Sequence, residues 1–391
     1  MSNVPSSIPS ECEKFQLELP LWNKRDPNLH AVGIHEFSMD GASLQRIVKS
    51  VSLPRLEGRQ VIFELSDKFL TAHAETRDGA LHLSARAPLS GSCSMGPSTI
   101  CFEIAMETAR KAAEAFQGSL HFRLAESESI LWARTNDETT VAIAAKLHER
   151  PPARAVLTTL AEAPAHVLRT ALQTAGVYHA CKDPSTGLKR DLLIRDGVAW
   201  HGYLYAAARY SSVSLPFDLN IPGLHILNLT AMLSRCSGRV TIGELGDRFF
   251  LQSDDAVVAC WSKNLLTSSA CPRFDHPDSI SVTVRTDWLQ PRISLFAALV
   301  DQVQFTHLGG DQGEMVLMSG SFAGNTIKSW HRLPEATAEF NCIVRSRDLM
   351  RACFLFESQQ LKLTFSHRCM KVDGVGSDLD ASVILFNVAV P

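Results

Sequence analysis

Six stretches of this chain carry the same small helical pattern, and they recur at nearly fixed spacing from one end to the other. Each places apolar residues at i, i+3, i+4 and i+7, or close to it. They are Leu44/Ile47/Val48/Val51, Met106/Ala109/Ala113, Leu168/Ala171/Leu172/Ala175, Leu229/Met232/Leu233/Cys236, Ile293/Phe296/Ala297/Val300 and Leu349/Ala352/Cys353/Phe356. The steps between first members are 62, 62, 61, 64 and 56 residues. A fixed period of this length means that one supersecondary unit is stacked many times, each copy burying its neighbour's apolar face.

The flanks repeat as well. Gly58-Arg59 leads into Val61-Ile62-Phe63-Glu64-Leu65-Ser66-Asp67-Lys68-Phe69 after the first helix. Gly238-Arg239 leads into Val240-Thr241-Ile242-Gly243-Glu244-Leu245-Gly246-Asp247-Arg248-Phe249 after the fourth. Both copies read Gly-Arg, then Glu-Leu-x-Asp-basic-Phe, at identical spacing. Looser relatives are Ser119 to Leu124 and Leu361 to Phe365. All alternate apolar and polar residues with period two, as a half-buried strand does. The expected unit is one short helix followed by antiparallel strands.

Six such units pair into three domains of ordinary size. The expected fold is α+β: an extension over 1–33, then domains over 34–152, 153–274 and 275–391. Pro5, Pro9, Pro20 and Pro27 argue against a long helix in the extension, and nothing there resembles a secretory leader. No run of about 18 apolar residues is present, so no membrane span is expected. The ten cysteines include no C-x2-C pair and no histidine at ligand spacing, so reduced structural thiols, no metal and a cytoplasmic setting are expected. Pro291 fits a helix that starts near Gln290, with proline in its first turn.

Charge is distributed unevenly. The helical windows hold Arg46, Lys49, Arg110, Lys111, Arg169, Arg235, Arg292, Arg347 and Arg351 against only Glu107 and Asp348, a sum of +7 in a chain of net charge −3. A basic surface built from helices on an acidic body suits phosphate contact, because lysine and arginine release counterions from duplex DNA. Base-reading side chains are not clustered there, which favours backbone contact without sequence readout.

Motifs for chemistry are absent. Gly320-Ser321-Phe322-Ala323-Gly324 has serine in the second place and fails the nucleophile-elbow pattern; it reads as a strand turn or bulge. No phosphate loop or dinucleotide fingerprint occurs. Asp254-Asp255 and Asp378/Asp380 read as solvated turns, and the fourteen histidines as scattered, His30 and His35 having no third ligand partner. An enzyme is not expected, and no cofactor is implied.

Three domains of two helix-plus-strand units each, with helices of positive sign, resemble the bacterial sliding clamps, the β subunits of DNA polymerase III. The likeness runs over about 34–391 in repeat order and spacing. Val198-Ala199-Trp200-His201-Gly202-Tyr203-Leu204-Tyr205-Ala206 stands where that family has a strand reading V-A-T-D-G-H-R-L-A, and Val383 to Val390 resembles its closing strand. The resemblance implies a head-to-tail homodimer ring around double-stranded DNA, opened by an ATP-dependent clamp loader. The ring would do no chemistry and would tether DNA polymerase or repair proteins. Besides the helical residues, Arg55 in the turn after the first helix, and Lys182, Lys189 and Arg190 in the loop after the third, would face DNA.

The family's partners insert a short peptide between the second and third domains. Carried over, that pocket would include Trp200, Gly202, Tyr203, Leu204, Tyr205, Phe386 and Val388. Here Ser269-Ala270-Cys271-Pro272-Arg273-Phe274 replaces the family's F-P-D-Y type linker, and aromatic residues replace polar ones in the pocket strand. That leaves room for a specialised paralogue accepting a different peptide. The alternative is a clamp-fold interaction or regulatory scaffold that does not encircle DNA. Ring closure needs a sheet edge in the first domain, and the strand around Thr99 to Ile104 is the expected one.

Overall fold

The computed structural model of the chain describes residues 34–52, 60–76, 81–91, 99–125, 129–148, 158–182, 187, 189–245, 247–253, 257–263, 279–308, 315–332 and 340–388. The extension 1–33, Arg55, the loop residues 183–186, Asp254, Asp255 and the linker segment 269–274 lie outside the described residues.

Domain 1 opens with β1 (Ile34–Asp40), α1 (Gly41–Val51), β2 (Gln60–Leu65), β3 (Phe69–Glu75) and β4 (Leu81–Pro88). Its second unit is β5 (Ile100–Ala105), α2 (Met106–Ala115), β6 (Ser119–Ala125), β7 (Ile130–Thr135) and β8 (Thr140–Ala144), then a short β9 (Lys146–His148). Domain 2 holds β10 (Thr158–Pro164), α3 (Ala165–Ala175), β11 (Leu192–Arg195), β12 (Val198–Tyr203) and β13 (Ala206–Tyr210). It continues with β14 (Leu219–Ile221), α4 (Ile226–Leu233), β15 (Arg239–Leu245), β16 (Arg248–Ser253) and β17 (Val257–Ser262). Domain 3 runs β18 (Ile280–Arg285), α5 (Thr286–Leu299), β19 (Gln302–Leu308), β20 (Met315–Phe322) and β21 (Asn325–Arg332). It closes with β22 (Asn341–Arg345), α6 (Ser346–Leu355), β23 (Gln360–Phe365), β24 (Cys369–Val375) and β25 (Ala381–Phe386).

The unit is therefore strand, helix, three strands, and the strand before the helix is the part that helical periodicity does not reveal. That strand is exchanged. β1 pairs with β6 of the second unit, and β5 pairs with β2 of the first. The same exchange joins β10 to β15 and β14 to β11, then β18 to β23 and β22 to β19. Each domain is two units that complete one another's sheets.

The helices are amphipathic and pack in pairs, α1 on α2, α3 on α4 and α5 on α6. In α1, Leu44, Ile47, Val48 and Val51 are buried, while Arg46 and Lys49 are exposed. The Asp40 carboxylate accepts the Ser43 N–H at 3.1 Å, an N-cap that satisfies one of the helix's unpaired first-turn donors. Pro291 departs from expectation: α5 starts at Thr286, so the proline lies inside the helix and removes the donor that would reach the Asp287 carbonyl.

The shared Glu-Leu-x-Asp-basic-Phe segment makes the β2–β3 and β15–β16 hairpins. In the first, the Ser66 N–H donates to the Phe69 carbonyl at 2.9 Å, and Ser366 meets Cys369 the same way at 2.8 Å in the β23–β24 hairpin. Gly320 to Phe322 close β20, and Ala323 and Gly324, with φ of 48° and 79°, form a two-residue hairpin turn. Positive φ at both central residues matches the twist of the flanking strands.

Two sheets cross domain boundaries. β4 of domain 1 pairs with β17 of domain 2, giving nine strands in the order β10-β15-β16-β17-β4-β3-β2-β5-β9. β13 of domain 2 pairs with β25 of domain 3, giving eight in the order β14-β11-β12-β13-β25-β24-β23-β18. The other two sheets are β1-β6-β7-β8 and β21-β20-β19-β22. At both seams the last strand of one unit pairs with the last strand of another. Two last strands, β8 in domain 1 and β21 in domain 3, remain as sheet edges. The strand expected as an edge, β5, lies between β2 and β9, because β9 folds back onto it.

Candidate nucleic-acid and peptide interfaces

Among the helical basic residues, Arg46, Lys49, Arg110, Lys111 and Arg347 are exposed, and Arg169 is half-buried. Arg235 is exposed in the turn after α4. Arg46, Lys49 and Arg235 come together where domains 1 and 2 meet, lining a cleft of about 320 Å³ with Ser50 and Met232. The Arg235 guanidinium donates to the Lys49 carbonyl there, which ties α4's end to α1. Lys111 pairs with Glu107 at 2.7 Å across one helical turn, an exposed contact that leaves its charge in solvent. Lys182 and Arg190 are exposed and Lys189 half-buried, on either side of the loop after α3.

Two arginines are held differently. Arg292 donates to Ser329 Oγ at 3.1 Å and to the Trp288 carbonyl at 2.7 Å, and its guanidinium lies 4.9 Å from the Trp288 ring centroid. It braces β21. Arg351 donates to Cys181 Sγ at 2.8 Å and sits 3.5 Å from the Asp348 carboxylate. It belongs to the contact between domains 2 and 3. Sequence gives both the same sign and helical setting as Arg46; packing separates them.

The residues assigned to a peptide pocket divide by face. Along β12 the side chains of Ala199 and Tyr203 enter the main core, while Trp200 and Gly202 face the opposite side. Gly202 is packed tightly enough that a Cβ would stand 2.7 Å from Ala207 Cβ. Ala207, Cys369 and Ile384 form a small second core on that side, with Phe386 packed against it. Leu204 and Tyr205 make the turn between β12 and β13, and Leu204 is 50% exposed. The Phe386 N–H donates to the Tyr205 carbonyl at 2.9 Å, and the Val388 N–H donates to the Ile343 carbonyl at 2.9 Å. Leu204, Tyr205, Phe386 and Val388 thus share one end of the seam between domains 2 and 3. Trp200, Gly202 and Tyr203 are buried and form its interior.

Sequence reasoning missed what holds this seam. The Tyr203 hydroxyl donates to the Asp348 carboxylate, and the Tyr178 hydroxyl donates to the Asp348 carbonyl at 3.0 Å. Arg345 lies 3.5 Å from the Tyr205 ring centroid, a cation–π contact across the same boundary. Burial raises the Asp348 carboxyl above its usual range, against the opposing pull of Tyr203, Arg351 and Arg345. Burial, then the hydrogen bond to Asp348 and its charge, push the Tyr203 phenol up. Asp348 three residues before Arg351 was the only visible signal.

Among the described residues, no three His, Cys, Asp or Glu side chains are grouped to hold a metal ion, and no helix is long and apolar enough to cross a membrane. The seven described cysteines are free thiols, five of them buried.

Three paired-unit domains, sheets running across both domain boundaries and helices in pairs define the sliding-clamp fold. Solved structures agree. The chain matches the DNA polymerase III subunit beta of Pseudomonas aeruginosa with a TM-score of 0.73 at 12% identity, covering 90% of this chain and 99% of that one. The beta chain from Streptococcus pneumoniae gives 0.72 at 11% identity, covering 91% and 99%. The Thermotoga maritima beta subunit gives 0.70 at 10%, covering 91% and 100%. No family model matches the chain, and no curated protein matches it. The chain is a divergent structural relative of these bacterial clamps, alike in fold and remote in sequence.

Proposed function

We propose that two copies of this chain close head to tail into a ring around duplex DNA and tether a polymerase or repair protein to it. The observation that carries this reading is the pairing rule at the seams. Last strand meets last strand at β4–β17 and at β13–β25, and the rule leaves β8 and β21 over. Joining β8 of one copy to β21 of another extends the rule and closes two copies into six domains. An unpaired strand edge is a template for another chain, so a partner edge also removes an aggregation hazard. Val141 on β8 and Trp330 on β21 are exposed apolar residues on those edges.

Exposed Arg46, Lys49, Arg110, Lys111, Arg235 and Arg347 provide the sequence-independent phosphate contact such a ring needs. Leu204, Tyr205, Phe386 and Val388 are the surface for a partner's short peptide, and an ATP-dependent loader would open the ring. The ring acts in the cytoplasm and performs no reaction of its own.

The test is the mass in solution by light scattering, with retention on nicked circular and linear DNA in the presence of a loader. A species of twice 42.9 kDa that stays on circles and slides off linear DNA supports the ring. A monomer that ignores both DNAs overturns it.

A further inference from the structure

The histidines that look scattered in sequence are not all scattered in space. His73 on β3 and His82 on β4 face each other on the side of the sheet away from the helices, because Ala72, Ala74, Leu81 and Leu83 take the core side. His73 Nδ1 stands 3.3 Å from His82 Nε2. The other nitrogen of each ring meets a carboxylate: His73 Nε2 lies 3.4 Å from Glu64, and His82 Nδ1 lies 3.0 Å from Glu75. The result is a row, Glu64–His73–His82–Glu75, across β2, β3 and β4. At the matching place in the fourth unit Glu244 pairs with Lys263 instead, so the row is particular to the first.

Counting donors shows what the row lacks. It has three contacts, and two neutral imidazoles supply two N–H groups. If both donors serve the carboxylates, the central contact sets two bare nitrogens against each other. If one serves the centre, a bare nitrogen faces a carboxylate, and His73, only 8% exposed, has little solvent to relieve it. His73 Nε2 is indeed buried without a hydrogen-bond partner. A cation at the centre satisfies all three contacts at once.

We propose that His73 Nδ1 and His82 Nε2 bind a zinc-type divalent transition metal ion. Nitrogens bound to one tetrahedral zinc at about 2.05 Å each stand about 3.3 Å apart, the spacing found here. A neutral imidazole that binds a metal commonly gives its second N–H to a carboxylate, which fixes its tautomer and orientation; Glu64 and Glu75 are so placed. Imidazole pairs select zinc, copper or nickel over calcium or magnesium, which take oxygen ligands. The two rings supply two ligands and water completes the shell, entering on the side of half-buried His82 and exposed Glu75. β4 is the strand that joins β17, so the ion would sit beside the seam of domains 1 and 2.

The experiment is calorimetric titration of the chelator-stripped full chain with ZnCl2. One ion per chain is expected, with affinity at least tenfold weaker in His73→Gln and in His82→Gln and unchanged in His166→Gln, an exposed histidine on α3. Glu64→Gln and Glu75→Gln should each weaken it by about 10- to 100-fold. Absence of saturable binding below millimolar zinc, or binding that the two histidine variants leave unchanged, overturns the site. Should either variant fail to fold, the wild-type chain decides alone. Zinc must protect His73 and His82 from diethyl pyrocarbonate, mapped by peptide mass, and equal modification with and without zinc overturns the proposal.

Discussion

The Tyr203 hydroxyl of domain 2 donates to the buried Asp348 carboxylate of domain 3, so a polar contact, and not apolar packing alone, fixes the angle between these domains. A buried acceptor that loses a donor keeps its desolvation cost. Tyr203→Phe should therefore lower stability by about 1–3 kcal/mol, read from urea denaturation. An unchanged midpoint would show that Arg351 and solvent replace the phenol.

His201 gives the protein a sensitivity to mild acid. It is fully buried, donates through Nε2 to the Arg190 carbonyl at 3.1 Å, and burial pushes it down to about 4 from 6.5. The unfolded chain then binds more protons between these values, so stability is lost as pH falls from about 6.5 towards 4. The full loss is about 3 kcal/mol. Unfolding free energy measured from pH 7.5 to 4 should fall across this window, and the slope should flatten in His201→Gln.

Pro291 lies exposed in the interior of α5, where it withholds a backbone donor. Pro291→Ala should stabilise the chain by about 1–2 kcal/mol, the helical gain less the extra freedom of the unfolded chain. A lowered melting temperature would mean that the kink itself is needed for packing on α6.

The three side chains at the junction of domains 1 and 2 should act together on DNA. Replacing Arg46, Lys49 and Arg235 by alanine should reduce the slope of log affinity against log salt by about 2–3. Arg292→Ala and Arg351→Ala should leave that slope unaltered and lower thermal stability, because both arginines are spent on protein contacts.

Edge pairing predicts an oligomeric change. Val141→Asp together with Trp330→Asp places charge on β8 and β21 and should yield particles of 42.9 kDa by light scattering. A dimer that survives both changes would place the interface elsewhere.

The repeat, the helices and the strands after them were legible because each is local: period 3.6 in Leu44 to Val51 and period two in Val61 to Leu65. Strand exchange was not, because β1 meets β6 some 80 residues later and both strands look alike in pattern. The interface edge was misplaced for a related reason, since three residues of β9 suffice to cover β5. At the candidate sites, residue type alone could not tell exposed Arg46 from Arg351, which is held by a buried carboxylate one turn away on its own helix and by Cys181 of another domain. Nor does a gap of nine residues announce that His73 and His82 will stand side by side.

The seams have a consequence for how such a chain ends. Each boundary between domains is a strand ladder of one kind, and in the proposed ring β8 and β21 carry the halves of one more. In that ring the joint between copies and the joints within a copy are ladders of one kind, so each chain is one length of a longer ribbon. What stops growth is curvature: if successive domains turn enough for the ribbon to meet itself, it closes; if they turn slightly less, identical contacts build a filament. Small changes in the angle at β4–β17 or β13–β25, away from the free edges β8 and β21, would therefore decide between a finite particle and an endless one.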